Sequence, residues 1–500
     1  MFFSKKLENK ITDIKTKYDL AAFCYYYLVK TINNQIIFLG EYIEINGNAE
    51  INNPNFQLLC QLSVNIKKLL KKYPSDISFF EILNLVSSTE KSLEVFGDET
   101  MNNATIPFFI LKGFDLYFQD CTYETYTTSP LNNYCKEFCL IYINSNLSIM
   151  DEILIKRDYA GIIKKNEIRS YFSYIIILEK CELPRGYGIP KLIALKKNEK
   201  SLEKILKTNK LNIALIPTTC DKCFEFYMRK GASFEIKYDE YAMQNVKKKV
   251  IALLNWAIEC KANIIIFPEY ICSEEIQTTI SKTLLQMSLS EPEKLNELLF
   301  VVSGSGWTKD SNNVSCLYDE EGILLGKVYK YSAYDNDKNG NKYVERLQNP
   351  GKEITLIKIP RIGIFQIEIC RNVSENEFCL KMAKIFDTQF LLISAYSSSV
   401  NIGFKKQIDS IVSSNHKTCS VMCNCCAAFS ENEKFREHIG IISAPQKKGS
   451  LIEANFEYVE RKKKQCDKCC DNGCFFEICY DFNGEEEKDV EIKSIFRKKP

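Results

Sequence analysis

From Leu211 onward, hydrophobic positions switch between two periods. "LNIALIP" and "IIIFPEY" are short, unbroken apolar runs rich in isoleucine, the pattern of strands buried on both faces. Between them, "YAMQNVKKKVIALLNWAIECKAN" spaces Val246, Val250, Leu253, Leu254 and Ala257 by three and four residues, which makes one helical face apolar. "LLFVVSGSG", "EGILLGKVYKY", "EITLIKIPRIGIFQIEIC", "TQFLLISAY" and "TCSVMCNCCAAF" extend the series. Alternating strands and helices with β-branched interiors predict a layered α/β domain. In such folds chemistry gathers where strands end, so strand-terminal polar residues are the ones that matter.

The first 200 or so residues follow another pattern. "LAAFCYYYLVKT", Leu20 to Thr31, reads as a buried helix, and "PNFQLLCQLSVNIKKLLKKY" as an amphipathic helix with lysines at its C-terminal end. "TIPFFILKGFDLYF", "FCLIYI" and "SYIIILEKCEL" read as short, β-rich pieces. These predict a separate α+β domain over residues 1–205, an α/β domain over 206–460 and a Cys-rich tail over 461–500. The boundary falls in "LKKNEKSLEKILKTNKLN", Leu195 to Asn212, expected to be a solvated helix between domains. Glu199 and Glu203 interrupt its lysines, which argues against a nucleic-acid patch.

Composition narrows the function classes. The 66 basic and 64 acidic residues leave a net charge of +2, so no strong field for nucleic acid or membrane is expected. No apolar run is long enough to cross a bilayer, and "MFFSKKLENK" lacks the apolar core of a signal peptide, so a cytoplasmic protein is expected. There the 22 cysteines are expected to be reduced, with catalysis or metal ligation as special cases. His416 and His438 are the only histidines, which leaves histidine-based catalysis little room.

Three polar residues close strands. Glu269 ends "IIIFPE", Lys330 follows "GKVY", and Cys370 ends "IGIFQIEIC". An ammonium favours a thiolate and stabilises an oxyanion; a carboxylate accepts the thiol proton and later activates water. The three suffice for acyl transfer without histidine. Taken singly, they read as a solvated carboxylate, a surface lysine and a buried thiol; Lys327 competes with Lys330.

In their order, these segments resemble the nitrilase, or carbon–nitrogen hydrolase, superfamily over Leu211 to about Ala454. The matching pieces are "NIALIP", "IIIFPEY", "VVSGSGW", "GILLGKVYKYSAY", "NPGKEITLIKIPRIGIFQIEIC", "FLLISAY", "VMCNCC" and "IGIISAPQKKGSLI". The resemblance implies an α-β-β-α sandwich that needs no cofactor for catalysis and tends to form homo-oligomers. It implies Glu269 as general base, Lys330 as stabiliser of the intermediate, Cys370 as nucleophile and Glu345 as a second, positioning glutamate. The amide nitrogen of Arg371 would help bind the oxyanion. Arg371 and Asn372 replace the aromatic and acidic residues common in the family, and would lie at the oxyanion and substrate. The "CWE" pattern of nitrile hydrolases is absent, so a small-molecule amide is the expected substrate, through a thioester acyl-enzyme. The multiple membrane spans of the acyltransferase branch are absent too. The alternative is a weakened site, serving as a small-molecule-binding or signalling module coupled to the N-terminal domain.

"CDKC" occurs twice, at Cys220 and Cys223 and at Cys466 and Cys469. Two such pairs offer four thiolates to a structural zinc that would clip the tail to the domain, with Cys470 and Cys474 as alternative ligands; the other reading is reduced, unligated thiols. "MCNCC", Met422 to Cys426, is expected to pack along a buried strand.

Overall fold

The structure is a computed structural model. It describes residues 3–9, 17–32, 54–73, 78–94, 99–119, 139–143, 175–195, 199–218, 223–229, 232–338, 341–374, 377–397, 400–415, 417–428, 438–448, 451–460, 474–481 and 491–498. The chain divides into two compact units, one of Met1–Leu147 and Ile163–Leu183, the other of Ser148–Ile162 and Pro184–Pro500.

The first unit contains α1 (Phe3–Glu8), α2 (Lys17–Ile32), α3 (Pro54–Lys72), α4 (Phe79–Glu94) and α5 (Glu99–Gln119). An antiparallel pair, β1 (Cys139–Ile143) and β2 (Ile175–Glu179), accompanies them. Leu28, Ile66, Leu70, Ile110, Phe114 and Ile177 share its core. The α3–α5 packing turns on Gly113, where a Cβ would come within 2.6 Å of the Ile66 side chain. "TIPFFILKGFDLYF", expected as β-rich, is the C-terminal part of α5. Its residues are apolar on almost every side and mostly buried, so the segment carries no helical period to detect.

In the second unit, β3 (Lys191–Ala194) precedes α6 (Glu199–Thr208), β4 (Lys210–Leu215), β5 (Phe224–Arg229), β6 (Ser233–Tyr238) and α7 (Glu240–Glu259). Then come β7 (Ile264–Ile266), α8 (Glu274–Ser290), β8 (Phe300–Trp307), β9 (Asn313–Asp319), β10 (Leu324–Tyr329), β11 (Asp335–Lys338) and β12 (Asn341–Glu345). The rest is β13 (Thr355–Ile359), β14 (Gly363–Ile369), α9 (Arg371–Ser374), α10 (Glu377–Ile385), β15 (Phe390–Ala395), α11 (Val400–Asn415), β16 (Cys419–Asn424), β17 (His438–Lys448), β18 (Leu451–Glu460), β19 (Cys474–Asp481) and β20 (Glu491–Lys498).

Two seven-stranded sheets, ordered β10-β9-β8-β7-β4-β19-β20 and β18-β17-β16-β15-β14-β13-β3, face each other. Ile213, Ile266 and Val302 of one share a core with Ile357, Ile367 and Leu392 of the other. Phe300 meets Phe365 edge-on across this layer with ring centroids 5.4 Å apart. The first sheet's outer face takes the apolar stripe of α7 and residues Ile276, Ile280 and Leu284 of α8. Phe404, Ile408 and Val412 of α11 pack into the core of the second sheet. The result is the expected α-β-β-α sandwich. A four-stranded sheet, β11-β12-β6-β5, stands beside it.

Two segments differ from their sequence reading. The lysine-rich α6 is amphipathic, with Ile205 buried and Leu202 and Leu206 packed on the sandwich core. Part of the tail is β19, which pairs with both β4 and β20 inside a sheet. Its Tyr480 hydroxyl lies 2.7 Å from the Ser420 carbonyl of the opposite sheet. In "FFEICY", Phe476, Ile478 and Tyr480 join the core between the sheets while Phe475 packs on Trp256 of α7, a two-faced strand pattern hidden among cysteines.

Ile478 is wholly buried, while Ile495 on the neighbouring strand is 43% exposed. Ile478→Ala should therefore lower the stability of the full chain by about 2–5 kcal/mol, against less than about 1 kcal/mol for Ile495→Ala. Urea denaturation measures both; equal, small losses would mean that β19 adds nothing to the sheet.

Candidate active site

Four polar residues meet at strand ends. Glu269 follows β7 and Lys330 follows β10, both in the first sheet; Cys370 follows β14 in the second; Glu345 closes β12 of the small sheet. The turns at Tyr270 and Cys370 are sharp, with φ of 64° and 42°, a left-handed conformation uncommon for side chains of this size. The Glu269 turn rests on "GSG" of β8. There Gly304, at φ 71°, faces the Pro268 carbonyl so closely that a Cβ would lie 2.3 Å from it.

Lys330 Nζ stands 2.7 Å from Glu269 Oε1 and 2.7 Å from Glu345 Oε2, with all three side chains inaccessible to solvent. Asn313 Nδ2 donates to Glu269 Oε1 at 2.8 Å and to Glu345 Oε1 at 3.2 Å. The Tyr270 hydroxyl donates to Glu345 Oε1 at 2.8 Å. Backbone N–H groups complete the shell, Tyr396 to Glu269 Oε2 at 3.1 Å and Tyr334 to Glu345 Oε2 at 3.0 Å. The Cys370 thiol, 6% exposed, faces the Glu269 carboxyl and directs its hydrogen at the Tyr396 carbonyl 4.0 Å away.

Burial, and then the charge of Glu269, push the Cys370 thiol well above the ordinary cysteine range, with Lys330 opposing. Burial also raises Glu269, partly offset by Lys330, which makes it a stronger base. For Lys330, burial works against the ammonium, but the two glutamates outweigh it and hold the proton on. The resting arrangement is a thiol beside a carboxylate that an ammonium clamps in place.

The sequence-predicted residues divide accordingly. Glu269, Lys330, Cys370 and Glu345 converge; Lys327 is partly exposed, its N–H directed at Glu353. Arg371 Nη2 reaches Asp335 Oδ2 at 3.4 Å, and its guanidinium lies over the Tyr334 ring. Asn372, expected at the substrate, is buried and bonded to the backbone N–H groups of Tyr331 and Ser332. Tyr270, Asn313 and Tyr396 belong to the site and were not singled out from sequence; only Tyr270, adjacent to "FPE", carried any signal. Phe224, Phe226, Tyr270 and Tyr396 form an aromatic cluster at the Glu269 end, with Phe224 and Tyr396 5.1 Å apart. Of the proposed zinc ligands, Cys220, Cys466, Cys469 and the alternative Cys470 lie outside the described residues, while Cys223 is buried at the start of β5 and Cys474 opens β19. No cluster of three or more metal-ligating side chains occurs among the described residues. Met422 to Cys426 is buried along and just past β16, as expected. Among the described residues, no helix is long and apolar enough to cross a membrane.

No family model and no curated protein matches the chain. Solved structures similar to it include an amidase from Nesterenkonia sp., with 12% identity over 52% of this chain and 95% of that one, at a TM-score of 0.31. A variant of the Nesterenkonia AN1 amidase from the nitrilase superfamily shows 13% identity over 52% and 96% of the two chains, at 0.32. The C. elegans NitFhit protein shows 12% identity over 52% of this chain and 63% of its own, at 0.31. At these values the chemistry of the site rests on its own residues.

Two stability effects follow from the buried charges. Lys330→Met leaves Glu269 and Glu345 face to face without a cation and should cost about 3–5 kcal/mol. A loss below about 1 kcal/mol in chemical denaturation would contradict the buried ion cluster. A separate carboxyl on β14, Glu368, is pushed by burial from 4.5 to about 7. The folded state then holds its proton more tightly than the unfolded chain does, so the stability this group contributes is full below about pH 4.5 and is lost as the pH rises to about 7. For this group the fall is about 3 kcal/mol, and Glu368→Gln should remove it from the pH dependence of unfolding. An unchanged pH slope in the variant would assign the fall to other groups.

Proposed function

We propose that the second unit is a cysteine-dependent hydrolase of non-peptide carbon–nitrogen bonds, acting on amides. The observation that carries this reading is the Cys370 thiol beside the Glu269 carboxyl while Lys330 is clamped between Glu269 and Glu345. The order of the strand-end segments, which resembles that of the carbon–nitrogen hydrolases, supports it.

In the proposed reaction, the amide carbonyl enters beside the Lys330 ammonium. Cys370 Sγ attacks the carbonyl carbon as its proton passes to Glu269, so no standing thiolate is needed. The oxygen gains negative charge facing Lys330, which is already charged and positioned, so little reorganisation is required. The tetrahedral intermediate collapses, the carbon–nitrogen bond breaks, and Glu269 returns the proton to the leaving nitrogen. A thioester and ammonia or an amine result. Glu269 then takes a proton from water, the hydroxide attacks the thioester, and the released thiolate recovers its proton as the acid departs. Glu345 and Asn313 hold the lysine and the base in register.

Iodoacetamide, itself a small amide, tests the site directly. Labelling followed by mass spectrometry is expected to modify Cys370 faster than the exposed Cys181, despite its burial, and Glu269→Gln and Lys330→Ala should each slow Cys370 at least about tenfold. Ammonia release from a panel of primary amides should vanish in Cys370→Ala. Cys370 labelling no faster than Cys181, with no dependence on Glu269, would overturn the proposal.

A further inference from the structure

Glu368 and Asn372 flank the nucleophile at two residues on either side, and both are buried. Asn372 spends its amide in two directions. Its Oδ1 accepts from Tyr331 N–H at 3.0 Å and from Ser332 N–H at 3.0 Å, the two residues that follow Lys330. Its Nδ2 donates to Glu368 Oε2 at 3.0 Å. The other oxygen of Glu368 accepts from Gln366 Nε2 at 2.7 Å, and Gln366 Oε1 accepts from Thr388 Oγ1 at 3.2 Å. A chain of hydrogen bonds therefore runs from Thr388, at the foot of β15, up β14 and across to the end of β10 in the facing sheet.

Two backbone donors fix which end of the Asn372 amide points at the lysine segment, and its NH2 then requires an acceptor. Glu368 supplies that acceptor. The other groups facing Glu368 are Tyr331 and Cys379, and with Gln366 and Asn372 they are all neutral, so no cation competes for the carboxylate.

We propose that Glu368 and Asn372 are positioning residues of the candidate active site. Glu368 orients the Asn372 amide, whose oxygen straps Tyr331 and Ser332 and so sets where the Lys330 ammonium stands relative to Cys370. The inference rests on the roles assigned above to Glu269, Lys330 and Cys370.

A charge exchange tests it. Asn372→Asp sets a second carboxylate against Glu368, and two buried carboxylates in contact cannot both ionise. Combining it with Glu368→Gln returns one carboxylate and one amide to the same two positions, exchanged, so that the new Gln donates and the new Asp accepts. Two measurements on the full chain follow the strap: hydrogen exchange at the amides of Tyr331 and Ser332, and iodoacetamide labelling of Cys370. The reference is Asn372→Ala, which removes the acceptor of both N–H groups and should speed the exchange and slow the labelling about tenfold, as expected for an unsatisfied buried hydrogen bond. The double variant should bring both to within about threefold of wild type, since the two sites are directly coupled. Unchanged exchange in Asn372→Ala, or a double variant no closer to wild type than Asn372→Ala, overturns the proposal. Should Asn372→Ala not fold, Asn372→Ser shortens the side chain out of reach of Tyr331 and Ser332 and reads the same two signals. If wild-type Cys370 is not preferentially labelled, the hydrolase reading fails, while the exchange measurement still decides whether the strap exists.

Discussion

A lysine ammonium and two carboxylates, all removed from water, impose the condition the second unit has to meet. Such a cluster is stable only if every charge finds partners, because a single uncompensated buried ion costs several kcal/mol. The partners come from many places: Asn313 from β9, the Tyr270 hydroxyl from the turn after β7, and backbone N–H groups of Tyr334 and Tyr396. Each reaches the cluster only when its own strand is in register. The ion cluster and the alignment of three sheets therefore stand or fall together.

Much of this could be read from the chain, and the reason is local. Glu269, Lys330 and Cys370 each end a short apolar run, and a strand end is visible as a change from apolar to polar within one or two residues. The second glutamate, Glu345, required the order of neighbouring segments as well. What stayed hidden was tertiary. Asn313 lies in "SNNVSC", where nothing local distinguishes it from Asn312, and only the fold turns its amide toward two carboxylates. Arg371 and Asn372 stand out in the sequence as neighbours of Cys370, yet adjacency along the chain says nothing of direction. One side chain reaches Asp335 and the other ties down the lysine segment. The α5 segment failed for the opposite reason, since a helix apolar on nearly all sides has no face to betray its period.

Cysteine abundance is separated here from cysteine chemistry. Burial raises Cys272, Cys379, Cys419 and Cys423 above the ordinary thiol range, and it raises Cys370 likewise. A depressed pKa is thus not what distinguishes Cys370. What sets it apart is its place at the end of β14, beside a carboxylate that is itself ion-paired to Lys330.

The placement of β19 between β4 and β20 also bears on how this unit comes to exist. Phe476 pairs with Leu215, so strands from opposite ends of the unit are neighbours in one sheet. Closing contacts between segments so distant in sequence is slow, because loop entropy is lost before the pairing repays it. During synthesis the edge of β4 therefore waits, unpaired on that side, until almost the whole unit has been made. An unpaired strand edge of this kind is where partly folded chains join one another. The nascent chain passes through that exposure before β19 fills the gap beside β4.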